Sequence, residues 1–138
     1  MNKTTLWVLV LLMAGSLGCR KENTATSPEA NTIVIANTLN AFSFQLSANS
    51  YTATLDYTTS FSTDSLACSV TVTGYASGSG SISIADSNYS SVYADSILTN
   101  QVVAFTQAGK GVPRRIHLVF SQYTGTIVFA LARNGSGR

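Results

Sequence analysis

Leu66-Ala67-Cys68-Ser69-Val70-Thr71-Val72-Thr73 alternates strictly between larger apolar side chains and small or hydroxylated ones. Successive side chains of a β-strand point to opposite faces. Leu66, Cys68, Val70 and Val72 therefore share one face, and Ala67, Ser69, Thr71 and Thr73 the other. A helix would need its apolar residues three and four apart, and this spacing does not supply them.

The same period of two extends outward in both directions. Phe42, Phe44 and Leu46 alternate with Ser43 and Gln45, and Tyr51, Ala53, Leu55 and Tyr57 with Thr52, Thr54 and Asp56. Ile82 and Ile84 alternate with Ser81 and Ser83. Ile116, Leu118 and Phe120 alternate with Arg115, His117 and Val119, and Ile127, Phe129 and Leu131 follow. Polar and glycine-rich clusters separate the runs: Ala48-Asn49-Ser50, Ser62-Thr63-Asp64, Ser77-Gly78-Ser79-Gly80, Asp86-Ser87-Asn88, Ala108-Gly109-Lys110-Gly111 and residues 121–125. Read as turns, and with residues 32–36, 92–98 and 101–106 counted as strands, they predict about nine short strands and no helix. That pattern predicts an all-β fold, an antiparallel β-sandwich, jelly-roll-like or Ig-like, over residues 32–138. Ile82 to Asn88 together with Gly125 to Phe129 is similar in pattern to small bacterial jelly rolls such as pre-peptidase C-terminal domains; the resemblance implies a fold and no activity.

Composition agrees. Apolar residues make up 45% of the 138, enough for one core, while charged residues make up only 10%. Solubility then rests on Ser, Thr, Asn and Gln, and hydroxylated, β-branched and aromatic residues favour strands over helices.

The first residues read as an export signal. Lys3 precedes an unbroken apolar run over residues 6–14, about half of the roughly 20 residues that span a bilayer as a helix. Ser16-Leu17-Gly18-Cys19 then resembles the lipobox of bacterial lipoproteins, with Ser16 where that pattern prefers Leu. The resemblance implies removal of residues 1–18 and modification of Cys19 by diacylglyceryl and fatty acyl (palmitate-type) chains. Two or more such chains anchor stably, at about 0.8 kcal/mol per buried methylene. Cys19 is then spent on lipid, so Cys68 has no intramolecular disulfide partner. Residues 19–31 form the lipidated cysteine and a polar, flexible tether. Arg20 stands where the enterobacterial inner-membrane retention signal has Asp, which implies the outer membrane. Arg20-Lys21-Glu22 resembles part of the export signal of Bacteroidetes surface lipoproteins, with Asn23 in place of a second acid. The implied location is the cell envelope, lipid-anchored at the outer membrane or cell surface.

Groups that carry chemistry are sparse. No Gly-x-Ser-x-Gly elbow, metal-binding His-Glu-x-x-His helix or phosphate loop is present. His117 is expected to face solvent, opposite in parity to Ile116 and Leu118. Cys68 is expected in the core as an inert thiol. Asp86 and Asp95 flank one predicted hairpin. Asp86 with Asn88 reads as an Asx turn before it reads as a calcium site. Tyr89 and Tyr123 fall in predicted turns and are the expected exposed pair, suited to stacking on a sugar. Charge is uneven: residues 31–109 hold four Asp and no Lys, Arg or His, whereas residues 110–138 hold Lys110, Arg114, Arg115, Arg133 and Arg138 and no acid. Two readings stay open, a basic rim using Arg114 and Arg115 or a last hairpin neutralised by acidic neighbours. The basic footprint is too thin for nucleic acid. The expectation is a non-catalytic envelope lipoprotein without cofactor or metal, acting through protein contacts or assembly with another envelope protein; the alternative is a module binding glycan or a small ligand through Tyr89, Tyr123, Arg114 and Arg115.

Overall fold

In the computed structural model the described residues are 30–135. They form six strands: β1 (Thr32–Thr38), β2 (Ala41–Thr58), β3 (Leu66–Ala85), β4 (Ser91–Ile97), β5 (Gln101–Gln107) and β6 (Arg115–Arg133). The expected signal segment, Cys19 and most of the expected tether lie outside the described residues. The all-β, antiparallel expectation holds, but the strand count differs. Three of the expected turns, at residues 48–50, 77–80 and 121–125, are irregularities inside β2, β3 and β6. Each of these long strands merges two of the short ones read from the sequence.

All six strands belong to one sheet, ordered β1-β2-β6-β3-β4, with β5 also paired to β3. The register divides it into two halves. In one, β1, Ala41–Ala48 of β2, Gly125–Arg133 of β6, Leu66–Thr73 of β3 and β5 lie side by side. In the other, Tyr51–Thr58 of β2, Arg115–Tyr123 of β6, Ser79–Ala85 of β3 and β4 do so. No second, separately hydrogen-bonded sheet occurs among the described residues.

The sheet is folded over where the halves meet. A straight strand from Phe42 to Tyr57 would separate their α-carbons by roughly 50 Å at about 3.3 Å per residue. Their rings are instead 5.4 Å apart, and Phe44 stacks on Phe120 at 6.0 Å although Phe44 pairs in register with Phe129. Inside the fold lie Leu46, Leu66, Val70, Ile82, Ile84, Ile97, Ile116, Leu118 and Ile127, all essentially inaccessible. At about 25 cal/mol per Å² of apolar surface, this burial is the main term holding the halves together.

Each long strand turns the corner through residues in the left-handed region: Ser50 (φ 54°) in β2, Gln122 (φ 50°) in β6, and Gly74 (φ 60°) and Gly78 (φ 82°) in β3. An inserted residue removes an N–H from the ladder, and a buried or unpaired N–H is costly. Side-chain oxygens take these donors. Ser50 N–H donates to Thr124 Oγ1 (2.9 Å), Gln122 N–H to Thr52 Oγ1 (2.8 Å), and Tyr75 N–H to Asn100 Oδ1 (2.8 Å). Gly78 is also required by space, because a β-carbon there would fall 2.2 Å from the Gln122 carbonyl oxygen.

Tyr123 is therefore not in a turn. It pairs with Tyr51 at the corner, is 0% exposed, and rests against Phe120 and Tyr75 at 5.5 and 6.1 Å. Its hydroxyl has no hydrogen-bond partner.

The corner gives a paired prediction. Gly78→Ala meets both strain and a backbone clash and is expected to cost about 3 kcal/mol or more. Gly74→Ala meets only the left-handed penalty, with nothing within 4 Å of its new β-carbon, and is expected to cost about 1–2 kcal/mol. Urea unfolding of both variants measures the difference; equal losses would mean that the close approach at Gly78 is not a constraint.

Candidate functional site

The two outer faces of the folded sheet are chemically opposite. On the β1–β5 half, Val34, Gln45, Val128, Thr71 and Val102 stand in one register row across all its strands. Val34, Val128 and Val102 are 57%, 40% and 77% exposed. The next row is Ala36, Ser43, Ala130, Ser69 and Ala104. The rows on this face carry no charged side chain, and between the small residues, around Ala67, Ser69, Ala104 and Ala130, lies a shallow depression of about 560 Å³.

The outer face of the other half holds the polar chemistry. Asp56, His117 and Ser83 occupy one row on β2, β6 and β3. The alternation of each strand sends them outward because Tyr57, Ile116 and Ile84 point in. Asp56 Oδ1 lies 2.6 Å from His117 Nδ1, and both residues are exposed. The carboxylate accepts, so Nδ1 carries the proton, and in the neutral ring Nε2 presents a lone pair. No hydrogen bond joins Ser83 to His117. Two residues before His117 on β6, Arg115 places its guanidinium 4.1 Å from the centre of the Tyr89 ring, a contact contributing about 0.5–1 kcal/mol at an exposed site. Asp56, Ser83, Ala85, Tyr89, Arg115 and His117 line one cavity of about 310 Å³.

Tyr89 is held in an unfavourable backbone region, φ 62°, and is 70% exposed. A bulky L-residue there costs about 1–2 kcal/mol. The turn that imposes it is built by Asp86, whose Oδ1 accepts from the N–H groups of Asn88 (2.8 Å) and Ser90 (2.9 Å). Asp86 and Asn88 thus form the Asx-type turn read from the sequence, and one carboxylate oxygen is committed to backbone donors. No group of three or more His, Cys, Asp or Glu side chains able to hold a metal occurs among the described residues.

The sequence candidates separate accordingly. Tyr89 and Arg115 come together. Arg114 is exposed but does not line the cavity; its backbone ties Thr59 and Ala85. Tyr123, expected to be exposed, is buried at the corner, because residues 121–125 continue β6 rather than reversing the chain. Cys19 lies outside the described residues. His117 faces solvent as its parity indicated. Asp56 and Ser83 were not singled out; their outward parity was readable, but only the non-local register puts them beside His117. That register also sets Asp56 of the acidic stretch beside His117 on β6, while Arg114 and Arg115 enter no ion pair among the described residues.

A second polar group lies at the interior margin between β4 and β5. The Asp95 carboxylate accepts from Tyr93 Oη and Gln101 Nε2, each at 3.0 Å, and from Ser96 N–H. The Tyr93 ring lies 4.9 Å from Phe105. Asp86, tied up in its turn, does not join Asp95. Burial first, and the Asp95 charge second, push the Cys68 thiol up to about 12. Burial likewise raises Tyr93, helped by its hydrogen bond to Asp95, and raises Tyr57 and Tyr123.

No family model matches the chain, and no curated protein matches it. Among solved structures it is similar to a chain from work titled "Bacillus endospore appendages form a novel family of disulfide-linked pili". The two are 15% identical with a TM-score of 0.43, over 78% of this chain and 95% of that one. A likeness at that level says nothing about activity or partner.

The raised thiol and phenols give a pH prediction with a definite sign. Below pH 9.0, the ordinary thiol value, folded and unfolded chains both keep the Cys68 proton and its contribution to stability is full. As pH climbs from there toward about 12 the unfolded chain loses the proton first, so stability falls, and the tyrosines act in the same direction. The urea midpoint is expected to be level below pH 9.0 and to drop above it. At about pH 8, Cys68 is expected to resist Ellman's reagent until the chain unfolds; rapid reaction of the native protein would contradict the assigned environment.

Proposed function

We propose that this chain is a cell-envelope lipoprotein, lipidated at Cys19 after removal of residues 1–18 and displayed at the outer membrane or cell surface. Its folded sheet, read as a jelly-roll-like sandwich, is a non-catalytic module for protein contact and assembly. The observation that carries the reading is the charge-free outer face with its valine row, Val34, Val128 and Val102. A flat face without charge rejects partners that bring unpaired charges to it. A second copy of this chain offers a face of matching chemistry, with small Ala and Ser side chains that let two sheets approach closely. The face spans about 20 Å in each direction at about 4.8 Å between strands and 3.3 Å per residue. Two such faces bury about 800 Å², the size of a weak, transient interface.

A second reading, binding of a glycan or another small ligand, is favoured by the cavity that joins Tyr89 and Arg115 to Asp56 and His117.

Two measurements test the first reading. Intact-mass spectrometry of protein from bacterial membranes is expected to show residues 1–18 removed and Cys19 carrying diacylglycerol and an acyl chain. An unmodified Cys19 or a retained Met1 contradicts the anchor. Sedimentation equilibrium is expected to show a dimer that Val128→Lys weakens by about ten-fold or more, in line with burying an unpaired charge. Val128 is exposed, so the unfolding midpoint of the monomer is expected to stay put. A wild-type chain that remains monomeric at the highest soluble concentration removes the assembly reading.

A further inference from the structure

We propose that the cavity between Asp56, His117 and the Tyr89 turn binds an acidic sugar, with Arg115 receiving the sugar carboxylate. The inference rests on the second reading above and specifies its ligand.

Four features converge on that chemistry. The first is a cation outside any ion pair of the described residues. The one ion pair among the described residues joins His117 to Asp56, so Arg115 enters no ion pair there, although the Asp56 carboxylate lines the same cavity. The Arg115 guanidinium carbon lies 4.1 Å from the centre of the Tyr89 ring, a contact that leaves its N–H donors available. A planar guanidinium presents paired N–H donors that match a carboxylate in two parallel hydrogen bonds.

The second feature is the alternation of donors and acceptors along one row. Asp56 keeps an unused carboxylate oxygen, since its Oδ1 is bonded to His117 Nδ1. His117 Nε2 offers a lone pair in the neutral ring, and the Ser83 hydroxyl both donates and accepts. Cross-strand neighbours on one face stand about 5 Å apart, a spacing that suits hydroxyls on alternate carbons of a pyranose ring.

Third, the apolar contact is presented at a conformational cost. Tyr89 adopts φ 62° and remains 70% exposed, so its ring gains little from burial while the backbone pays for its position. Strain held at an exposed aromatic points to recognition rather than stability. Fourth, the cavity of about 310 Å³ lies at the small end of ligand sites, the size of one or two sugar units rather than of a folded partner.

The test is calorimetric titration of the full chain in detergent with three short oligosaccharides: a uronate trimer, a sulfated trimer and a neutral glucose trimer. The uronate is expected to bind, and its Kd to rise by about ten-fold or more in Arg115→Gln and in Tyr89→Gly, the loss that follows from removing a charge-assisted or stacking contact. Tyr89→Gly is also expected to keep or raise the unfolding midpoint, because glycine accepts the left-handed turn without penalty; binding lost while the fold is kept separates recognition from structure. Uronate affinity indifferent to Arg115→Gln overturns the assignment, as does tighter binding of the sulfated trimer. Neutral trimer bound as tightly as uronate, and lost in Tyr89→Gly, overturns the acidic preference and leaves the broader glycan reading standing. Silence with all three sugars overturns both.

Discussion

The structure depends on bending one hydrogen-bonded sheet across its own middle without leaving backbone donors unpaired. A long strand that stayed straight would expose the apolar faces of β2, β3 and β6 along their whole length. Folding brings those faces together, but the corner requires inserted residues in the left-handed region. Each insertion frees an N–H, and Thr52, Thr124 and Asn100 accept those protons. The individual bonds contribute about 1 kcal/mol each. Their larger effect is permissive, since they let the apolar halves close with rings of Phe42, Phe44, Tyr57 and Phe120 meeting across the gap.

Closing the sheet creates two outer faces from alternate residues of the same strands. The faces differ because charge is rationed: with only 10% charged residues, placing Asp56, Arg115 and His117 on one half leaves the other with Ala, Ser, Thr and Val. One face then suits a flat, uncharged surface and the other a small polar ligand. The two need not compete, because they lie on opposite sides of the core. The strained turn at Tyr89 belongs to the polar side and is held by the Asp86 carboxylate.

The inward face was legible residue by residue. Leu66, Cys68, Val70 and Val72 are buried as their period of two required, and so are Phe42, Phe44, Leu46, Ile127, Phe129 and Leu131. What misled was the irregular stretch within each long strand. Residues 77–80 and 121–125 have the composition of turns, and the same glycines and polar residues serve a bulge that bends a strand without reversing it. Local composition reports that the chain leaves regular extension there. It does not report whether the next residues pair with the same neighbour or a new one. Tyr123 shows the consequence, read as a turn residue and found sealed at the corner without a hydroxyl partner.

The sequence by itself determined the all-β class and the parity of the strands with a clear period of two, and with it the outward placement of His117 and Asp56. It also determined the scarcity of charge that makes one face bare. Parity follows from local backbone geometry, which each strand carries in its own residues. Tertiary structure decided the rest: that one folded sheet replaces about nine separate strands, that Asp56 of β2 meets His117 of β6, and that Arg115 lies over Tyr89. Those pairings join residues far apart in the chain. Their register is fixed by how the large inward side chains fit across the fold, a property of the whole core that no single stretch contains.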